Sequence, residues 1–142
     1  MQTAYPVRTD EETLYWLALS LTPGLGTRKT AELLTRYGSP MAIFRGSASE
    51  LQAAGLPGSV ARSITSGCAF EDAAEQQERL KASGTCIVTI TDDAYPPALR
   101  EIYDPPALLF LRGRVELLNT VMVALVGSRR ASQYGLAASE KL

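Results

Sequence analysis

The sequence predicts an α/β chain in two parts: an all-helical module over residues 1–84 containing a helix-hairpin-helix element, then the opening of an α/β domain over residues 85–142. Three observations predict this. Helix caps and apolar residues at three- and four-residue spacing recur as far as Gly84. From Cys86 the pattern changes to short β-branched or apolar runs between Pro- and Gly-rich turns. Residues 121–126 then form an apolar run without alternation, as in a strand buried on both faces. It stops at Gly127-Ser128-Arg129-Arg130, and good helix formers resume over 131–138. Strand, turn and helix make a βα unit, whose turn lies where open α/β sheets bind ligands.

Taken in order, Thr9-Asp10-Glu11-Glu12 is a capping box, and Leu14, Leu17, Ala18 and Leu21 repeat behind it at helical spacing. Thr22-Pro23-Gly24-Leu25-Gly26 ends that helix. A second follows, with Thr30, Leu33, Leu34 and Tyr37 as its apolar stripe and Gly38 beyond its end. Ser39-Pro40 opens a short helix over 41–44, and Ser47 to Glu50 is a second capping box whose helix ends at Gly55. Gly55-Leu56-Pro57-Gly58 leads into a helix over 59–65, so the first hairpin is echoed as a weak internal repeat. A longer helix over 69–83 turns Phe70, Ala73, Ala74, Gln77 and Leu80 to one side, and Gly84 ends it. Its charges run from acidic to basic, in the sense the helix dipole favours.

Residues 86–90 read as a strand, 99–102 as one helical turn, and Asp104-Pro105-Pro106 as a helix block. A second strand covers 108–111, a linker or helical turn 115–119, and the central strand starts at Val121. An open parallel sheet needs several βα units, so the chain is expected to be a fragment of a longer protein.

Composition limits the chemistry. The chain has 142 residues, 46% hydrophobic and 20% charged, with a formal net charge of −1. Any nucleic-acid surface must then be a local patch. One such patch begins at Arg112, where Arg112, Arg114, Arg129, Arg130 and Lys141 face only Glu116 and Glu140. The absence of histidine removes the commonest general base. Cys68 and Cys86 lack redox or metal-ligand spacing and read as buried or half-buried thiols in a reducing cytoplasm. No cofactor and no metal are expected. The N-terminus lacks an apolar signal core, and no apolar run approaches the ~20 residues that span a bilayer, so no membrane contact is expected.

Two places suit a phosphate-bearing partner. At residues 127–130, backbone N–H groups at a helix start attract anions, and the Arg129 guanidinium is a planar fork for phosphate oxygens. At the hairpin, Gly24 and Gly26 let the chain turn tightly, and Arg28 and Lys29 follow with positive charge. A purely structural role fits both: βα turns are common, and two antiparallel helices need a glycine turn whatever they do.

Together, Leu21-Thr-Pro-Gly-Leu-Gly, Tyr95-Pro-Pro-Ala-Leu-Arg100, Asp104-Pro-Pro-Ala-Leu-Leu-Phe110 and Val123-Ala-Leu-Val-Gly-Ser-Arg-Arg130 with Tyr134-Gly135 resemble the DprA (Smf) family of DNA-processing proteins. The resemblance implies a SAM-like helical module followed by a Rossmann-like domain. It implies single-stranded DNA binding without catalysis, delivery of that strand to the RecA recombinase, and protection of incoming DNA during natural transformation. It assigns phosphate contact to Gly127, Ser128 and Arg129, with Arg130 as an electrostatic helper. It also implies a homodimer at full length, with further DNA-contacting and dimer-forming segments beyond Leu142. Two other readings stand beside it. One is a Rossmann-like nucleotide-binding enzyme, for which Glu140 is a candidate acid although no G-x-G-x-x-G follows Val126. The other is a helical protein-interaction module without DNA contact, consistent with 8 Arg and Lys against 9 acidic residues over 1–84.

Overall fold

The computed structural model describes residues 8–142; the N-terminal segment without a signal core lies outside the described residues. Six helices come first: α1 (Asp10–Leu21), α2 (Thr27–Tyr37), α3 (Pro40–Arg45), α4 (Ala48–Ala53), α5 (Gly58–Ser66) and α6 (Phe70–Ser83). Then follow β1 (Cys86–Thr89), α7 (Pro97–Arg100), β2 (Leu108–Leu111), a 3-10 helix (Val115–Asn119) and α8 (Gln133–Ser139). None of these helices is long and apolar enough to cross a membrane.

The helix starts are set locally. Thr9 and Ser47 each form a complete capping box, with Glu12 and Glu50 reaching back to the cap nitrogen. Ser39 caps α3 with Pro40 in the first turn. Gly38, Gly67 and Gly84 end α2, α5 and α6 in the left-handed conformation.

The core is organised around α1, which packs against α2, α3 and α6. Because neighbours enclose it, Trp16, Leu17, Ala18 and Leu19 are all buried. Leu21 of the expected stripe is exposed, and Leu19, outside that stripe, is inside. On α6 the buried residues are Ala73, Gln77 and Leu80; Ala74, expected on that face, is exposed. Tyr15, Phe44 and Phe70 form an aromatic triad with ring centroids 4.9–5.7 Å apart. The two glycine hairpins meet: a Cβ on Gly24 (φ 77°) would lie 3.1 Å from Val60 Cγ2 of α5, and one on Gly55 would lie 3.2 Å from Lys29 Nζ. The repeat read in the sequence is therefore packed turn against helix.

The core does not stop at Gly84. Ile87, Ala107 and Leu108 belong to the same apolar cluster as the helices. β1 and β2 pair antiparallel, Cys86 opposite Leu111 and Thr89 opposite Leu108. Their other face builds a smaller cluster of Val88, Tyr95 and Val115. A half-buried ion pair closes the seam between helices and strands: Arg8 engages Asp92, donates to Thr89 Oγ1 at 2.8 Å and lies over the Trp16 ring.

Several expectations need correction. Residues 121–126 were expected to be a strand buried on both faces, but they form no regular element, and Val123 and Val126 are 86% and 95% exposed. A strand exists only with a neighbour to bond, and among the described residues none lies beside this run. The only sheet among the described residues is the antiparallel β1–β2 pair, not the start of a parallel one. α7 begins at Pro97, two residues before the expected turn, since proline suits the first helical turn. α8 begins at Gln133 because Ser132 takes the cap position, accepting from Gly135 N at 3.1 Å. Cys68, expected to be at least half-buried, is exposed; Cys86 is half-buried, and burial pushes its thiol pKa up.

Candidate nucleic-acid interface

The loop candidates Gly127, Ser128, Arg129 and Arg130 are contiguous and exposed between the apolar run and α8. A Cβ on Gly127 would meet nothing within 4 Å, so the turn lies open. Arg129 and Arg130 form no hydrogen bond or ion pair with any described residue. Two adjacent exposed guanidinium groups are thus available to phosphate oxygens. The first turn of α8 is partly satisfied by the chain itself, through the Ser132 hydroxyl. Glu140, the candidate acid of the enzyme reading, is the exposed C-cap of α8.

The hairpin candidates stand in a different environment. Gly26 is the N-cap of α2 and Gly24 makes the left-handed turn before it. Arg28 Nη1 donates to the Tyr103 hydroxyl at 2.8 Å, its guanidinium lies 5.4 Å from the centre of that ring, and its Nε is 3.6 Å from Glu32. Lys29 pairs with Glu32 and touches the second hairpin at Gly55. The Lys29 ammonium, with Arg28 adding a smaller share, holds the Glu32 carboxyl below its ordinary pKa. Thr27, the first residue of α2, donates its hydroxyl to Asp104. The cations at 28 and 29 are thus engaged within the chain, while those at 129 and 130 engage none of the described residues.

Tyr103, Asp104 and the Arg8–Asp92 pair escaped sequence reasoning because their partners lie more than 70 residues away. The available signal was Asp104 ahead of two prolines, a rigid corner able to present a carboxylate. The Tyr95 and Asp104 blocks prove to be linked: Tyr95 is fully buried, and its hydroxyl donates to the Pro106 carbonyl at 2.8 Å. Arg100 stacks over the Tyr95 ring and donates to the Asp92 carbonyl at 2.9 Å. Tyr95 and Arg100 therefore shape the loop that carries Tyr103 and Asp104. No cluster of three or more potential metal ligands occurs among the described residues.

Comparison with known proteins bears on this same segment. The family model for DNA recombination-mediator protein A matches residues 86–142. The DNA processing protein DprA of Streptococcus pneumoniae (strain ATCC BAA-255 / R6) is 50% identical over 54 residues, covering 38% of this chain and 19% of the relative. DprA of Bacillus subtilis (strain 168) is 38% identical over 56 residues, covering 39% of this chain and 19% of the relative. The chain thus aligns with about a fifth of the length of these curated relatives. No solved structure matches. The matched segment contains the strand pair, the Tyr95 and Asp104 blocks and the open Gly-Ser-Arg-Arg turn, and over it the chain is similar to the DNA recombination-mediator protein A family and to these two DprA proteins.

Proposed function

We propose that the chain is part of a single-stranded DNA-binding recombination mediator, which protects incoming DNA and delivers it to the RecA recombinase during natural transformation. Homodimerisation of the whole protein and a cytoplasmic location belong to the same reading. The supporting observation is the pair of guanidinium groups at Arg129 and Arg130, unengaged among the described residues, in the segment matched to the recombination-mediator family. Gly127 lets the backbone approach a sugar–phosphate strand closely, and Ser128 offers a hydroxyl donor beside the charges. Backbone contact of this kind carries no sequence preference and weakens as salt rises, since binding releases counterions.

The test is a titration of oligothymidine at several salt concentrations by fluorescence anisotropy. Arg129→Ala is expected to weaken binding and to lower the slope of log affinity against log salt by about 1. Wild-type affinity and slope in that variant overturn the assignment. For residues 8–84 we favour packing over DNA contact, because Arg28 and Lys29 are engaged with Glu32, Tyr103 and the second hairpin.

A further inference from the structure

We propose that the end of β2 is a second contact for single-stranded nucleic acid: Arg112 and Arg114 take phosphates, and the Phe110 ring stacks on a base. The inference rests on the nucleic-acid reading above and adds to it a contact with the bases. All four arginines beyond β2, Arg112, Arg114, Arg129 and Arg130, are exposed and form no hydrogen bond or ion pair with any described residue. Phe110 is 52% exposed, although it stands opposite the buried Ile87 and two residues from Leu108, which lies in the main core. A large ring left out of the core in this way offers its face to another flat ring.

The platform is fixed from behind. Leu109 and Leu111 pack against the smaller cluster of Val88, Tyr95 and Val115, so alternation along the chain turns Phe110, and Arg112 just beyond the strand, to the other side. Val115 is buried directly after the turn, so Arg112-Gly113-Arg114 is held between two packed residues. Gly113, at φ 126°, makes the bend by which the chain leaves the strand. The ladder ends with Cys86 opposite Leu111, and the residues leading into β1, Gly84 and Thr85, bring no carboxylate to the turn. Glu116, two residues beyond Arg114, forms no ion pair with a described residue. Cations beside an exposed aromatic ring are the combination that holds unpaired strands, since phosphates repeat along the backbone and every base has a π-face.

The experiment titrates the whole chain with oligothymidine and with an abasic oligomer of equal length, which keeps sugars and phosphates but lacks bases. Arg112→Ala/Arg114→Ala is expected to weaken both ligands alike, about five- to tenfold, and to lower the salt slope by about 1.4, or about 0.7 for each phosphate of a single strand. Phe110→Leu keeps the apolar bulk but loses the flat face; it should weaken oligothymidine about fivefold and leave the abasic oligomer unchanged. Phe110→Tyr, which retains a ring, should bind both ligands as wild type does. Wild-type affinity in the double arginine variant overturns the site, as does a Phe110→Leu loss that is absent or equal on the two ligands. The outcome is separable from that of the loop. These losses support the β2 contact even where Arg129→Ala is silent, and a loss confined to Arg129→Ala overturns the β2 contact while the loop stands.

Discussion

Residues 8–120 and residues 121–142 contain comparable apolar stretches, yet the first region buries them and the second does not. Leu17, Leu33, Ile43 and Leu51 lie fully inside a core that runs from α1 to β2. Val121, Val123, Leu125 and Val126 stand in solvent. The run at 121–126 is at least as apolar as β2, Leu108–Leu111, but β2 has β1 to bond and sends Leu108 into the core cluster it shares with the helices. Strand propensity is a preference for a half-buried pleated surface, and where no surface adjoins the run the preference has nothing to act on. The candidate cations divide in the same way: Arg28 and Lys29 have acquired partners, and Arg129 and Arg130 have none among the described residues.

The sharpest way to break this comparison is a truncation in each region. Leu17→Ala removes a fully buried side chain and is expected to cost about 2–5 kcal/mol in urea unfolding. Leu125→Ala should stay within about 0.5 kcal/mol of wild type. Similar costs at the two positions would mean that the run at 121–126 is packed after all. Next in size is Gly24→Ala, which places a Cβ at φ 77° and 3.1 Å from Val60 Cγ2. Thermal unfolding should show a loss of about 1–3 kcal/mol, whereas Gly127→Ala, with open space around it, should change little.

A smaller effect concerns pH. Burial raises the pKa of Tyr95 above its ordinary 10.0, so the folded state keeps a proton that the unfolded state releases. The associated stability is fully present below the ordinary tyrosine pKa and is lost as pH rises through the higher folded value. The midpoint of thermal unfolding should therefore fall more steeply above pH ~10 in wild type than in Tyr95→Phe; parallel curves would show that Tyr95 does not couple to folding. Smallest in energy, amide exchange should separate the regions residue by residue. Amides of β1 and β2 that bond across the ladder are expected to be protected, and those of 121–126 to exchange near the unfolded rate. Protection at 121–126 would place a partner strand beside it.

Much of the helical part was legible because its signals are local. Thr9, Ser47 and Ser39 cap the helices they announce, and Gly38 and Gly84 end them. The two short strands were also readable, as β-branched or apolar runs bounded by turns. The buried face of α1 was read less well, since a helix surrounded by neighbours has no polar side to set the phase: Trp16 and Leu19 went inside and Leu21 came out. The loop candidates at 127–130 were identified from residue type and order, and the structure leaves them exposed. The surroundings of Arg28 and Lys29 were hidden, because Tyr103 and Gly55 are brought to them only by folding.

The sequence by itself determined where helices start and stop, because a cap or a left-handed glycine acts on atoms within a few residues. It also determined which segment holds unbalanced positive charge. Only the tertiary structure decided which apolar runs become core and which cations are engaged. Both depend on a partner distant along the chain, and no local pattern records whether that partner arrives: Asp92 and Tyr103 come to Arg8 and Arg28, and nothing among the described residues comes to Val123 or Arg129.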